Sequence, residues 1–147
     1  MSQDWILPIS HDILGLIIGV IFIAPTIYFI RTKNWDSVAW PLFLVTLPLY
    51  YMLFGVLAMD GSAVFYELLY GLPFIVTGLL VWRIRSKSTL IIVALAWLSH
   101  GFYDFFHEDL FINPGVFSWY PAFCAIVDIT VGGYLVLYYK HASWTSI

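Results

Sequence analysis

The stretch Ile9–Ile30, ISHDILGLIIGVIFIAPTIYFI, decides the fold class, because from Ile13 to Ile30 it runs unbroken without a charge. A helix rises about 1.5 Å per residue, so roughly 20 predominantly apolar residues cross the roughly 30 Å of bilayer hydrocarbon. Arg31 and Lys33 follow at once and stop the run. Working outward, four further segments have the same character: Val38–Ala58, Ala63–Trp82, Ser88–Phe106 and Trp119–Tyr139. Between them lie the breaks Arg31–Asp36, Asp60-Gly61-Ser62, Arg83–Lys87 and Glu108–Gly115. Pro41 and Pro121 fall in the predicted first turns, where a missing N–H costs nothing. Pro25, Pro48 and Pro73 fall inside spans and are expected to kink them. With no repeat, linker or low-complexity stretch, residues 1–147 are expected to form one all-α domain, an integral membrane bundle of five transmembrane helices.

Composition agrees. The chain is 62% hydrophobic and 10% charged, with a mean hydropathy of +0.91, whereas soluble domains have about 45–50% apolar and about 25% charged residues. Six Lys plus Arg and nine Asp plus Glu cannot furnish a soluble domain's polar shell. A net charge of −3 argues against a nucleic-acid partner, since no basic patch exists to neutralise phosphates. Cys124 stands alone, which excludes an intrachain disulfide and every multi-cysteine zinc pattern.

The basic residues set an expected orientation. Arg31 and Lys33, then Arg83, Arg85 and Lys87, then Lys140 all follow odd-numbered spans and fall on one side. The positive-inside rule makes that side cytoplasmic, with the N-terminus outside and the C-terminus inside. No Lys or Arg precedes Arg31, so the basic n-region of a cleavable signal peptide is not expected. Trp5, Trp35, Trp40, Trp82, Trp119 and Trp144 lie near predicted span ends, where interfacial anchors belong.

This topology separates the charges. Of nine acidic residues only Asp36 maps to the basic side; Asp4, Asp12, Asp60, Glu67, Asp104, Glu108, Asp109 and Asp128 map to the other, with His11, His100 and His107. Asp4, Asp60, Glu108 and Asp109 read as solvated loop charges, His11 and His141 as interfacial residues, and Cys124 as a packed thiol. Glu67 and Asp128 lie inside spans, where a charge at the bilayer centre costs about 2.5–3.5 kcal/mol and is usually paired or functional. Asp128 lies about 13 Å along its helix from Trp119, and His100 about 10 Å from His107, so the two can meet at one level.

The fourth span carries the sharpest pattern, Ser99-His100-Gly101-Phe102-Tyr103-Asp104-Phe105-Phe106-His107. At about 100° per residue, His100, Asp104 and His107 stack within about 60° of arc, and Gly101 beside them lets a neighbouring helix approach. Two imidazoles and a carboxylate can supply three ligands to zinc or another divalent metal, leaving a position for water. Glu67 or Asp128 would then be a further ligand, an acceptor from a ligand imidazole, or a general base. The same residues can also form a hydrogen-bonded network that holds helices together and binds nothing.

From Ala96-Trp97-Leu98-Ser99-His100 through Tyr103, Asp104 and His107, then Trp119-Tyr120-Pro121, Cys124, Asp128 and Tyr134-Leu135, the chain resembles a family of small bacterial multi-pass membrane proteins catalogued as a domain of unknown function. A third span led by Glu67 and followed by Gly71 and Gly78 belongs to the resemblance, which covers the chain from the start of that span onward. Members often carry paired histidines where this chain has His107-Glu108. The resemblance implies a bacterial inner membrane and a shared motif of His100, Asp104, His107, Cys124 and Asp128, but no activity. The residue types also resemble those of alkaline ceramidase-like zinc hydrolases and of sterol isomerase-like bundles with intramembrane carboxylates. That likeness is one of chemistry alone, since span count and spacing differ.

The leading expectation is a metal-dependent, hydrolase-like membrane enzyme acting on a lipid or other apolar substrate in the outer leaflet. Its metal would rest on His100, Asp104 and His107, with Glu67 and Asp128 handling protons. The alternative is an accessory or small-molecule-binding subunit of a membrane complex, with partner membrane subunits, whose His/Asp/Glu cluster is structural. A proton or ion pathway is disfavoured, because the cytoplasmic halves of the spans lack ionisable residues.

Overall fold

The computed structural model describes residues 10–139. Among them the chain forms α1 (His11–Thr32), α2 (Asp36–Leu57), α3 (Gly61–Ile84), α4 (Lys87–Phe105), the short α5 (His107–Leu110) and α6 (Tyr120–Tyr139), with no strand. All but α5, five helices, are long and apolar enough to cross a membrane. Their ends lie within two residues of the expected spans. The expected start at Ile9, and Asp4, Trp5, Lys140, His141 and Trp144, lie outside the described residues.

Local chemistry explains where the helices begin and stop. Ser10 accepts from the Ile13 N–H at 3.3 Å and caps α1. Asp60 Oδ1 accepts from the Ser62 hydroxyl at 2.6 Å and from the Ser62 and Ala63 N–H groups at 3.0 Å, capping α3. These bonds, the Ser62 hydroxyl first, hold the Asp60 carboxyl below its ordinary pKa. Ser86 and Thr89 form a reciprocal capping box on α4. The chain turns through left-handed backbone at Asn34, Met59 and Arg85, with φ of 56°, 54° and 48°. The helices therefore alternate in direction, placing Arg31, Lys33, Arg83, Arg85 and Lys87 at a basic end and Asp60, Glu108 and Asp109 at an acidic end. Outward faces are apolar all round, with Ile21, Phe22, Tyr28, Leu69, Leu80 and Leu137 each more than half exposed, as hydrocarbon contact requires.

Three pairings build the bundle: α2 on α3, α4 on α6, and α1 on α6, while α1 barely touches α2. The α4–α6 seam is close and positions the site. A Cβ at Gly101 would sit 3.2 Å from the Asp128 Cβ, and one at Gly132 would sit 2.6 Å from Leu98 Cγ.

Several expectations change at the basic end. Because α2 begins at Asp36 rather than Val38, Pro41 lies in its second turn, not its first. All four interior prolines, Pro25, Pro41, Pro48 and Pro73, sit in continuous helix. Trp40 is no interfacial anchor; it is 1% exposed. Its indole N–H donates to Asp36 Oδ1 at 3.0 Å, and its carbonyl accepts from Trp97 Nε1 at 3.1 Å. Asp36, expected in the break that ends the first span, is buried and also accepts from the Tyr134 hydroxyl at 2.7 Å, with Arg31 at 3.7 Å. A carboxylate at the turn between two spans is reached from both, so it ties α1, α2 and α6 together.

Overpacking the seam tests this arrangement. Gly132→Val is expected to push Leu98 away and cost about 1–3 kcal/mol, seen as a lower thermal unfolding midpoint in detergent. An unchanged midpoint would contradict the close α4–α6 approach.

Candidate functional site

Because nothing larger than hydrogen stands at Gly101, the neighbouring His100 reaches α6. Its Nδ1 lies 2.6 Å from Asp128 Oδ2 and 3.2 Å from Asp104 Oδ2, one turn along its own helix. All three side chains are fully buried. Around them the ring of Phe74 meets the imidazole edge-on at 4.7 Å. Cys124, one turn before Asp128, is buried against the hydroxyls of Tyr51 and Tyr120.

Hydrogen-bonding capacity here is left open. His100 Nε2, Asp104 Oδ1, Asp128 Oδ1 and the Tyr51 hydroxyl are buried without a closed hydrogen bond, although Tyr51 points towards Asp104. An unanswered buried polar group costs about 1–3 kcal/mol, so each of these atoms calls for a partner beyond the surrounding side chains, such as a water or an ion. One ligand atom each from His100, Asp104 and Asp128 lies within 4.8 Å of the others, and this buried group can hold a metal ion. As metal ligands, two ionised carboxylates and a neutral imidazole would carry a charge of −2, the complement of a divalent cation in a low-dielectric interior.

The structure splits the expected stripe. Helix α4 stops at Phe105, and His107 opens α5, so His107 leaves the His100–Asp104 line and Asp128 stands in its place. His107 Nε2 instead lies 2.8 Å from Glu67 Oε1. Glu67 is the hub of this second group: its Oε1 also accepts from Asn113 Nδ2 at 2.8 Å, and its Oε2 from the Tyr103 hydroxyl at 2.8 Å. With both oxygens engaged, Glu67 is placed to orient His107. Glu67 and Asp128 both face the interior, in adjoining groups rather than one. Tyr103 joins the groups, its ring 5.5 Å from that of His100 and its hydroxyl on Glu67. Tyr51 stacks on His107 at 4.5 Å. His11 is exposed at the start of α1.

Tyr51, Tyr103 and Asn113 are not among the expected site residues. Tyr103, three residues after His100, was open to the same helical periodicity. Asn113, in an irregular loop, donates also to the Tyr51 carbonyl at 3.0 Å, and nothing in the sequence signals it. Two cavities adjoin the site. Where α1 and α2 part, an apolar groove of about 370 Å³ is lined by Phe22, Trp40, Phe43, Trp97 and Phe123, with Asp128 the carboxylate in its wall. At the acidic end, a cavity of about 420 Å³ is lined by His107, Glu108, Asn113 and Ser118 together with the apolar Ile112, Pro114 and Val116.

No protein-family model, curated protein or solved structure matches this chain.

Glu67→Gln would turn one accepting oxygen into a donor facing donors. The expected loss is about 1–3 kcal/mol of stability, measured by thermal unfolding in detergent, with Tyr103→Phe costing less. Equal effects of the two would argue against Glu67 as the hub.

Proposed function

We propose that this chain is an integral membrane enzyme whose His100–Asp104–Asp128 group is a divalent-metal centre acting on an apolar molecule that reaches Asp128 through the groove beside α1. The observation that supports it is the coincidence, in one fully buried spot, of three ligand atoms within 4.8 Å and unpartnered atoms on all three residues. The groove adds a route: its walls are apolar and aromatic, and Asp128 lies within them. Pockets of this size and composition suit small apolar ligands.

In this reading the helices span a bacterial inner membrane with the N-terminus outside and the basic end cytoplasmic. The chain then belongs to the uncharacterised multi-pass family that it resembles from its third span onward. Zinc, manganese or iron suits one imidazole and two carboxylates. A bound divalent ion would polarise a substrate carbonyl as a Lewis acid. The residues do the rest: Phe74 holds the imidazole plane, Tyr51 stands beside Asp104, and the aromatic walls keep bulk water from the groove. Glu67 and His107 form a neighbouring pair rather than the ligand set. Hydrolysis of an ester or amide remains the reaction class we favour.

The 2.6 Å contact between His100 and Asp128 favours a second reading, a metal-free acid/base pair sharing a proton. A purely structural network fits less well, because it would leave fewer unpartnered atoms than Asp104, Asp128 and His100 present. A conduction path fits least. Below His100 and Asp128 come Trp97, Val93, Leu90, Val131 and Leu135, all buried and apolar, so even the buried Asp36 is cut off.

Elemental analysis of protein purified in detergent tests the metal. About one divalent ion per chain is expected, lost in His100→Ala and Asp128→Asn and kept in His107→Ala. An active protein without stoichiometric metal and indifferent to strong chelators would replace this reading with the acid/base one. Orientation is tested separately: reporter fusions after Lys87 and Ile147 should both signal from the cytoplasm, and an external signal at either would reverse the topology.

A further inference from the structure

The groove beside α1 is long and narrow. Trp40 and Phe54 both line it and stand fourteen residues apart on α2, about 21 Å along that helix. Helix α6 gives the same length independently. The ring of Tyr120 packs on Phe54 at 4.9 Å and that of Tyr134 on Trp40 at 6.1 Å, again fourteen residues apart. A volume of about 370 Å³ over that length leaves a width of about 4 Å, the spacing of carbon atoms in contact. One hydrocarbon chain fits such a slot; fused rings or paired chains do not. Its open side lies where α1 and α2 part, and Phe22, Phe43 and Tyr50 are exposed there. In a membrane a chain therefore enters sideways from the hydrocarbon.

Among the described residues that line the groove Asp128 is the one that carries a charge, and it sits far from either end. It lies eight residues from Tyr120 and six from Tyr134, about 12 Å and about 9 Å along α6. At about 1.2 Å per bond of an extended chain, that is about ten bonds on one side and about seven on the other. Thr26 and Thr46 in the walls spend their hydroxyls on the Phe22 and Phe43 carbonyls of their own helices. Asp128 Oδ2 is held by His100 at 2.6 Å, whereas Oδ1 is buried without a partner. A lipid with a terminal head group carries its carbonyl beside that head, at the end of the groove, and brings only methylenes to the level of Asp128. An occupant that answers this carboxylate, directly or through an ion upon it, has its polar group inside the chain.

We infer that the molecule taken up is a linear, uncharged lipid with one amide or ester inside its chain and hydrocarbon on both sides, lying along the groove with that group at Asp128. The inference rests on the proposed role of Asp128 as the residue that meets the substrate, and it names the class of that substrate. A secondary amide suits the position with or without a metal. Its carbonyl can coordinate an ion, and its N–H can donate to a carboxylate oxygen.

Three isomers of one formula separate the position of the amide from hydrophobicity. N-octylnonanamide has it in mid-chain; N-methylhexadecanamide and N-pentadecylacetamide have it at an end. Each is titrated into the protein in phosphatidylcholine nanodiscs while tryptophan fluorescence is followed, since Trp40 and Trp97 line the groove. The mid-chain amide is expected to bind about tenfold more tightly than either isomer. Thr26→Trp and Thr46→Trp, which fill the groove from opposite walls, should each weaken it about tenfold; the two keep the test sound if one does not fold. Failure of the mid-chain amide to bind, equal binding of the three isomers, tighter binding of an end-placed amide, or unchanged binding in both variants would overturn the inference. Metal content measured on the same samples separates the two proposals. Metal retained without discrimination among the isomers sinks only this one, and discrimination without metal sinks only the metal centre.

Discussion

Carboxylates buried among apolar helices must each be answered by donors or a cation, and that requirement organises this bundle. Asp36, Glu67, Asp104 and Asp128 are all buried. Between helices in hydrocarbon there is no hydrophobic gain from association, so close packing and interhelical hydrogen bonds carry the assembly. Asp36 gathers α1, α2 and α6 at the basic end through Arg31, Trp40 and Tyr134. Glu67 gathers α3, α4, α5 and the loop before α6 through Tyr103, His107 and Asn113. His100 clasps Asp104 and Asp128 between them, along the glycine seam of α4 and α6.

The three nodes differ in how completely they are answered, and the proposed function rests on that difference. Glu67 has a donor on each oxygen. Asp36 has two donors on Oδ1, while its Oδ2, without a hydrogen bond, faces the Arg31 guanidinium at 3.7 Å. The Asp104–Asp128 pair has one shared ring nitrogen and a free oxygen on each carboxylate. Unlike Asp36 Oδ2, these free oxygens have no guanidinium or ammonium beside them among the described residues, and a free polar atom is costly in a low dielectric. Their presence beside a groove that the same Asp128 lines is the physical basis for placing chemistry there rather than at the other two nodes.

Helix α1 shapes access. It lies on α6 and leaves α2 almost untouched, so the aromatic groove sits at the weakest seam of the bundle, while the α2–α3 and α4–α6 pairs remain closely packed. The α2–α3 and α4–α6 pairs hold the carboxylates; α1, packed on α6 but hardly on α2, frames the opening.

Much of this was legible in the chain itself. Hydropathy and the breaks at Arg31, Asp60 and Arg83 placed five helices to within two residues, because span length follows directly from helical rise and bilayer thickness. Equal depth predicted that His100 and Asp128 would meet, and Gly101 marked the close approach that lets them. What periodicity could not supply was where α4 stops. The stripe from His100 to His107 assumes unbroken helix, and the end at Phe105 rotates His107 out of line and into the company of Glu67. Nor could hydropathy show that Asp36 and Trp40 are buried together, or that Asn113 from an irregular loop reaches Glu67. Spans and their polar faces are local properties of a helix and can be counted along the chain; which carboxylate answers which donor depends on the rotation of each helix about its axis, and only packing against its neighbours decides that.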